Sequence, residues 1–385
     1  MSNQLMKKAA NIAQLRSIAR SRIPGFVYDY LSAGCNDDLA VKNNRKALDK
    51  VYLQPQYLTR SGPAQLAVDI LGRSYNAPFG VAPVGLSGLI WPGASEYQAR
   101  AAKSANIPFI LSTVASISIE RAAECAEDCF WFQLYPPTDK NMLHDLIRRA
   151  VVAECKHLVV TIDVPSLGIR PRDIRNGLTV PPKLTLGSFW QILTRPSWAL
   201  AMARHGTPEF ETIKPYLKSA GNMAELSDFI RKTLKDIVDV DLLQQIRNQW
   251  PHKLIVKGIS GTEDAELAIQ VGADAIIVSN HGGRQLDASI PPVELIAAIK
   301  NKIGQKVPVM ADGGVESGVD IARFLSRGAD MVFSGRAMMY GVAALGEVGA
   351  GYAIELLREE LNQVMGQLGC EYPNAMVDHS VNRGS

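Results

Sequence analysis

The 385-residue chain is 47% hydrophobic and 21% charged, with a net charge of +3; this describes a globular protein, as one large domain or two ordinary ones, and excludes a disordered chain. So small a charge does not argue for nucleic acid, and neither does any zinc-type cysteine pairing or aromatic-basic repeat. The five scattered cysteines (Cys35, Cys125, Cys129, Cys155, Cys370) form no C-x-x-C and read as buried thiols of a reducing compartment.

The first twenty residues, MSNQLMKKAANIAQLRSIAR, lack the continuous apolar stretch of a signal peptide. Residues 5–20 have the spacing of one helix, and IPGFVYDYLSAG opens a second that ends at Gly34. From residue 79 a rhythm sets in: FGVAP (79–83), PFILS (108–112), FWFQL (130–134), HLVVT (157–161), LIVK (254–257), AIIVS (275–279), VPVMAD (307–312) and MVFSG (331–335). Short apolar runs alternating with helical stretches make parallel β-α units, and eight of them predict a closed (β/α)8 barrel rather than an open sheet. The expected organisation is a single 1–385 domain. It has a helical segment (1–78), a barrel (79–350) with an insertion after strand four (177–235), and a C-terminal helix and tail (351–385). No apolar run is long enough to span a bilayer.

Barrel active sites lie at the C-terminal ends of the strands. Those ends carry Pro83, Ser112, Gln133, Tyr135, Thr161, Asp163, Lys257, Asn280, His281, Asp312 and Arg336. ADGGVESG (311–318) and SGRAMMYG (334–341) follow strands seven and eight, where glycines let backbone N–H groups approach a phosphate and Arg336 can neutralise it. His281, in SNHGGRQLD, has an unperturbed pKa of about 6.5 and can take a proton at neutral pH. Arg284 presents a planar fork to a carboxylate, Arg170 can supply a second contact, and Asp163 can stabilise the imidazolium as it forms. A base with a carboxylate clamp points to oxidation of a small acid beside its carboxylate. Lys257, leaving a buried strand, reads as a cation facing an electron-rich cofactor ring.

These motifs resemble a known family. IVSNHGGRQLD, VKGI, WFQLY, TIDVPSLGIRPRD, VYDYLSAG and GRAMMYG are similar, over about residues 10–370, to the FMN-dependent 2-hydroxy-acid oxidising enzymes, on the side of their mandelate and lactate dehydrogenases. The resemblance implies a TIM barrel, FMN as cofactor and a homotetramer. It implies that His281 is the base and Asp163 its partner, that Arg170 and Arg284 bind the carboxylate, and that Tyr30 and Tyr135 contact carboxylate and hydroxyl. It places Lys257 at flavin N1 and O2. Ser112, Gln133, Thr161 and Ser279 then face the ring, and Pro83, Val84 and Gly85 run alongside N5. Gly314, Gly335 and Arg336 hold the phosphate; Asp312 completes the cofactor-facing set. The implied reaction takes an L-(S-)2-hydroxy acid to the 2-oxo acid. Glycine at 85, where the oxidases usually carry alanine, favours a dehydrogenase passing electrons to a quinone or a protein. The alternatives are an oxygen-using oxidase, another FMN barrel such as an isomerase, and a non-enzymatic flavoprotein.

Two departures stand out. Glu316 occupies a position where the family usually has an arginine near the phosphate, and a carboxylate there repels it by about 1–4 kcal/mol. Val114 stands where glycolate oxidase has an aromatic residue, leaving room for a larger substrate or a different loop packing. In the insertion, LGSFWQILTRPSWALAMA (186–203) is interrupted by Arg195–Pro196, and residues 170–235 carry eleven Lys/Arg against five Asp/Glu. Apolar surface flanked by cations suits a monotopic interfacial segment, here 177–217, on a cytoplasmic protein at the inner face of the cell membrane; a lid on the barrel or on a neighbouring subunit is the other reading.

Overall fold

The computed structural model describes residues 3–58, 62–166, 168–177, 186–206, 208–217 and 237–381. Much of the expected insertion (178–185, 207 and 218–236) therefore lies outside the described residues.

Eight parallel strands close a barrel: β1 (Phe79–Val81), β2 (Phe109–Ser112), β3 (Phe130–Leu134), β4 (His157–Thr161), β5 (Lys253–Ile259), β6 (Ala275–Val278), β7 (Val309–Ala311) and β8 (Met331–Ser334). Each pairs with its neighbours in chain order, and β8 returns to β1. These are the eight runs expected from sequence. Their largest departures are β5, which is longer at both ends and irregular between Lys257 and Ile259, and β7, which is shorter at both ends. The apolar runs are buried on both faces because helices cover the outside while side chains fill the inside. The interior is a distinct cluster that includes Ile110, Trp131, Val159, Ile255, Ile277, Met310 and Phe333. A hairpin, Val68–Ile70 with Arg73–Tyr75, closes the N-terminal end of the barrel, where Tyr75 Oη accepts a hydrogen bond from Trp131 Nε1 at 3.0 Å.

Strand side chains alternate between faces. The residue two positions beyond each interior apolar residue therefore faces the axis again, at the C-terminal mouth. Ile110 gives Ser112, Trp131 gives Gln133, Val159 gives Thr161, Ile255 gives Lys257, Ile277 gives Ser279, and Met310 gives Asp312. The barrel thus changes from a dry core to a polar ring within one pleat.

Residues 5–20 are two helices rather than one, Asn3–Lys8 and Ile12–Arg22. The break falls where Asn11 adopts an extended backbone and its side chain accepts the N–H of Gln14, an N-cap outcompeting helix continuation. Ile12–Arg22 docks along Arg336–Leu345, the helix after β8, and Gly25–Ser32 follows it. The C-terminal helix, Glu347–Leu368, packs on the same side. All five cysteines are buried and free. No helix among the described residues is long and apolar enough to cross a membrane.

Candidate active site

The polar ring is hydrogen-bonded in two segments, Gln133 with Thr161 and Lys257 with Ser279 and Asp312. Gln133 Nε2 donates to Thr161 Oγ1 at 2.9 Å. Lys257 Nζ donates to Ser279 Oγ at 2.8 Å and lies 3.0 Å from Asp312 Oδ2, while Ser279 Oγ donates to Asp312 Oδ1 at 2.5 Å. Burial alone would lower the Lys257 pKa, but Asp312 and Asp163 outweigh it and hold the ammonium charged. A buried lysine so paired, next to a side-chain amide and hydroxyls, is a donor set suited to the polar edge of a heteroaromatic ring.

Above the ring sits His281. Its Nδ1 is 3.0 Å from Asp163 Oδ1 and its Nε2 is 3.1 Å from Tyr135 Oη. Its backbone N–H donates to Ser279 Oγ at 3.0 Å, so the ring of polar residues also fixes the histidine. His281 has φ +56°, a left-handed conformation that costs a non-glycine residue about 1–3 kcal/mol and that the surroundings must impose. Burial raises the Asp163 pKa, but His281 and then Lys257 outweigh it and hold the carboxyl below its usual range. Tyr135 is pushed well up, first by burial and then by Asp163, and stays a neutral phenol.

The cationic side is built from two distant loops. Arg284 Nη1 donates to the carbonyls of Tyr30 (2.9 Å) and Ala33 (3.1 Å), and its guanidinium lies over the Tyr30 ring, 5.2 Å from the centroid. Burial, followed by Arg170, pushes Arg284 down to about 9. Arg170 is 3.9 Å from Asp173. Two neighbouring cations in a desolvated pocket gain most from a bound anion. Tyr30 Oη donates to the carbonyl of Gly85 at 3.1 Å, tying this side to the β1 loop, where Pro83, Val84 and Gly85 are part-exposed. A Cβ at Gly85 would stand 2.7 Å from Val114 Cγ2.

The loops after β7 and β8 complete the mouth, and the β8 loop adjoins this side: an added Cβ at Gly335 would meet Val84 Cγ2 at 3.5 Å. Gly314 has φ +86°, and an added Cβ would meet Asn44 Cβ at 3.1 Å, so this turn tolerates little but glycine. Gly335 caps the helix Arg336–Leu345 with no side-chain cap, leaving N–H groups for an anion. The Arg336 guanidinium points elsewhere: it donates to the carbonyls of Leu31 (3.3 Å), Gly282 (2.8 Å) and Ala33 (3.0 Å).

Sequence reasoning overlooked Thr113, Asn44 and Asp287, and it placed Asn280 at a strand end without a partner. Thr113 Oγ1 accepts the Tyr135 N–H (2.9 Å) and donates to the Gln133 carbonyl (2.6 Å). Asn44 and Asn280 pair reciprocally through their amides at 3.0 and 2.7 Å. Asp287 accepts the N–H groups of Asp37 and Ala40, joining the histidine loop to the N-terminal helices. A threonine beside a strand end could have been noticed; the other two contacts span more than two hundred residues and leave no local pattern.

A dry barrel, a polar ring at its mouth and glycine turns after β7 and β8 define a barrel oxidoreductase site that fits a flavin with a phosphate tail. The family model of FMN-dependent dehydrogenases matches residues 19–383, and the chain belongs to that family. It is 36% identical over 366 residues to (S)-mandelate dehydrogenase of Pseudomonas putida, covering 94% of this chain and 90% of the relative. It is 33% identical over 363 residues to L-lactate dehydrogenase of Bartonella tribocorum, covering 94% of each. Among solved structures it is similar to the monotopic membrane protein (S)-mandelate dehydrogenase, with a TM-score of 0.92, 34% identity, and 97% and 99% of the two chains covered. The expected barrel, family and FMN cofactor therefore stand.

Proposed function

We propose that the protein oxidises an L-(S-)2-hydroxy acid to the 2-oxo acid and passes the electrons to a quinone or protein acceptor. The observation that carries this reading is the placement of the Arg284–Arg170 pair beside the Tyr135–His281–Asp163 chain at one barrel mouth. FMN, held by Lys257, Gln133, Thr161, Ser112 and Ser279 at its ring, by the Pro83–Gly85 segment and by the Gly314 and Gly335 turns at its phosphate, supplies a two-electron acceptor when bound.

The residues do the rest. Arg170 and Arg284 orient the substrate carboxylate, with Tyr30 and Tyr135 lending hydroxyl contacts. His281 Nε2 faces inward because Asp163 engages Nδ1, so Nε2 is the atom that takes a substrate proton. Asp163 stabilises the resulting imidazolium, as a buried carboxylate does in other base-assisted sites. Lys257, kept charged by Asp312, stabilises negative charge at the ring edge.

Support for a dehydrogenase rather than an oxygen-using oxidase comes from Gly85, whose missing methyl group leaves the β1 loop close against Val114. A contact of the insertion with the membrane surface would suit a lipid-soluble acceptor. The test is anaerobic addition of lactate, glycolate, mandelate and longer L-2-hydroxy acids to the FMN-loaded protein, followed by air-saturated buffer or a quinone analogue. Bleaching of the flavin by at least one acid and faster reoxidation by the quinone are expected. No bleaching by any acid overturns the substrate class; rapid oxygen turnover with stoichiometric hydrogen peroxide and no preference for the quinone overturns the dehydrogenase.

A further inference from the structure

The loop after β7 carries a carboxylate at the phosphate end of the cofactor site. Glu316 lies two residues beyond Gly314, and its Oε2 is 3.3 Å from Nη1 of Arg16, on the helix Ile12–Arg22. An isolated surface ion pair would mean little. Arg16, however, is held by more than its charge. Its Nε donates to Tyr28 Oη at 3.1 Å, and its guanidinium lies over the Tyr340 ring, 5.6 Å from the centroid. Tyr28 in turn stacks on Tyr340, with centroids 6.4 Å apart and planes at 26°. Carboxylate, phenol and aromatic face together fix a side chain that is 45% exposed and that would otherwise sample many rotamers.

Tyr340 is one turn into the helix Arg336–Leu345, whose N-terminus is the anion-binding end. Arg336 itself directs its guanidinium to three backbone carbonyls on the far side of the loop. It is close enough to Arg16 for the two charges to oppose each other, and close enough to Glu316 to be stabilised by it. The phosphate end therefore holds the Glu316 carboxylate, the positive end of a helix, Arg336 turned to backbone carbonyls, and Arg16 brought from outside the barrel. Asp320, which accepts the Glu316 N–H at 3.0 Å, is already paired with Arg45 and Arg323.

We propose that Arg16 is the phosphate-site cation of this protein: Glu316 orients it, and the N-terminal helix delivers it in place of a cation carried on the β7 loop. The carboxylate, which alone would repel a phosphate, is offset by the arginine it recruits. Tight cofactor binding then depends on the docking of the helix Ile12–Arg22 onto Arg336–Leu345.

The full-length protein, freed of flavin, is titrated with FMN and with riboflavin, which lacks the phosphate, while flavin fluorescence is followed. Arg16→Gln is expected to weaken FMN on the order of tenfold to a hundredfold, the range of a charge-assisted hydrogen bond, and to leave riboflavin within about threefold. Adding Glu316→Arg to that variant is expected to return FMN to within about threefold of wild type, because the loop then carries its own cation. Arg16→Met, which keeps an unbranched stem but removes the charge, is a second variant with the same expected selectivity. An equal loss of both flavins would make Arg16 a purely structural residue and overturn the proposal. So would an unchanged FMN affinity, or a failure of Glu316→Arg to restore it while riboflavin still binds.

Discussion

His281 turns Nδ1 to Asp163 Oδ1 at 3.0 Å and thereby presents Nε2 to Tyr135 Oη at 3.1 Å. The carboxylate fixes which nitrogen is available, and the left-handed backbone at His281 fixes where it points. His281→Gln is expected to retain the fold and FMN but to lose at least ~10³-fold in the rate of flavin reduction, since proton removal and orientation go together. Stopped-flow reduction under anaerobic conditions measures it, and a variant reduced at near wild-type rate removes His281 from the mechanism.

At Gly85 an alanine methyl would stand 2.7 Å from Val114 Cγ2, too near for an unaltered loop. Gly85→Ala is expected to destabilise the protein by about 1–3 kcal/mol, the usual cost of overpacking. Gly85→Ala with Val114→Ala should recover most of that loss. Thermal melting of both variants beside wild type checks the coupling, and a Gly85→Ala variant that melts with wild type would mean that Val114 moves aside without cost.

His157, at the start of β4, stacks on Trp131 with centroids 4.6 Å apart. Burial first, then Arg73 and Lys253, push it down to about 4. The folded protein keeps this ring neutral, whereas the unfolded chain takes up a proton below about pH 6.5. Between those values the unfolded state binds more protons, so stability falls as pH drops through the window from about 6.5 to 4, by on the order of 3 kcal/mol for this group. His157→Phe should flatten that part of the stability-versus-pH curve in urea titrations; an unchanged slope would show that another group titrates there.

The helices Leu186–Leu193 and Pro196–His205 show two different faces. Trp198 is buried, meets Phe26 edge-on at 6.1 Å and donates to the Leu89 carbonyl at 3.2 Å. Phe189 and Trp190 are 60% and 68% exposed, with Leu193 and Leu200 also bare, and Arg195 and Arg204 lie among them. One face anchors the pair to the barrel while the other offers apolar surface to an interface. Phe189→Ser/Trp190→Ser/Leu193→Ser is expected to shift the protein from the membrane fraction to the supernatant without loss of flavin reduction. If the wild-type protein already fractionates wholly as soluble at low salt, the apolar face serves something else.

The short apolar runs were enough to place eight strands and to bring Ser112, Gln133, Thr161, Lys257 and Asp312 to one mouth, because a buried strand and its end are local features of the chain. A single chain position says which way such a residue points once its strand is known. It says nothing about partners brought in from elsewhere. The helix expected over residues 5–20 broke because Asn11 caps a new one, and at that break the Ala9 carbonyl accepts a hydrogen bond from Tyr352 of the helix Glu347–Leu368 at 2.6 Å. Asn44 meets Asn280, Arg284 reaches the carbonyl of Tyr30, and Arg16 reaches Glu316 across three hundred residues. Those pairings exist only because barrel closure returns the last β-α units to the N-terminal helices. The chemistry of each side chain was therefore written locally, while the charge balance at the phosphate end, the direction of Arg336 and the strained backbone of His281 were decided by tertiary packing, which alone determines what a buried or half-buried charge has beside it.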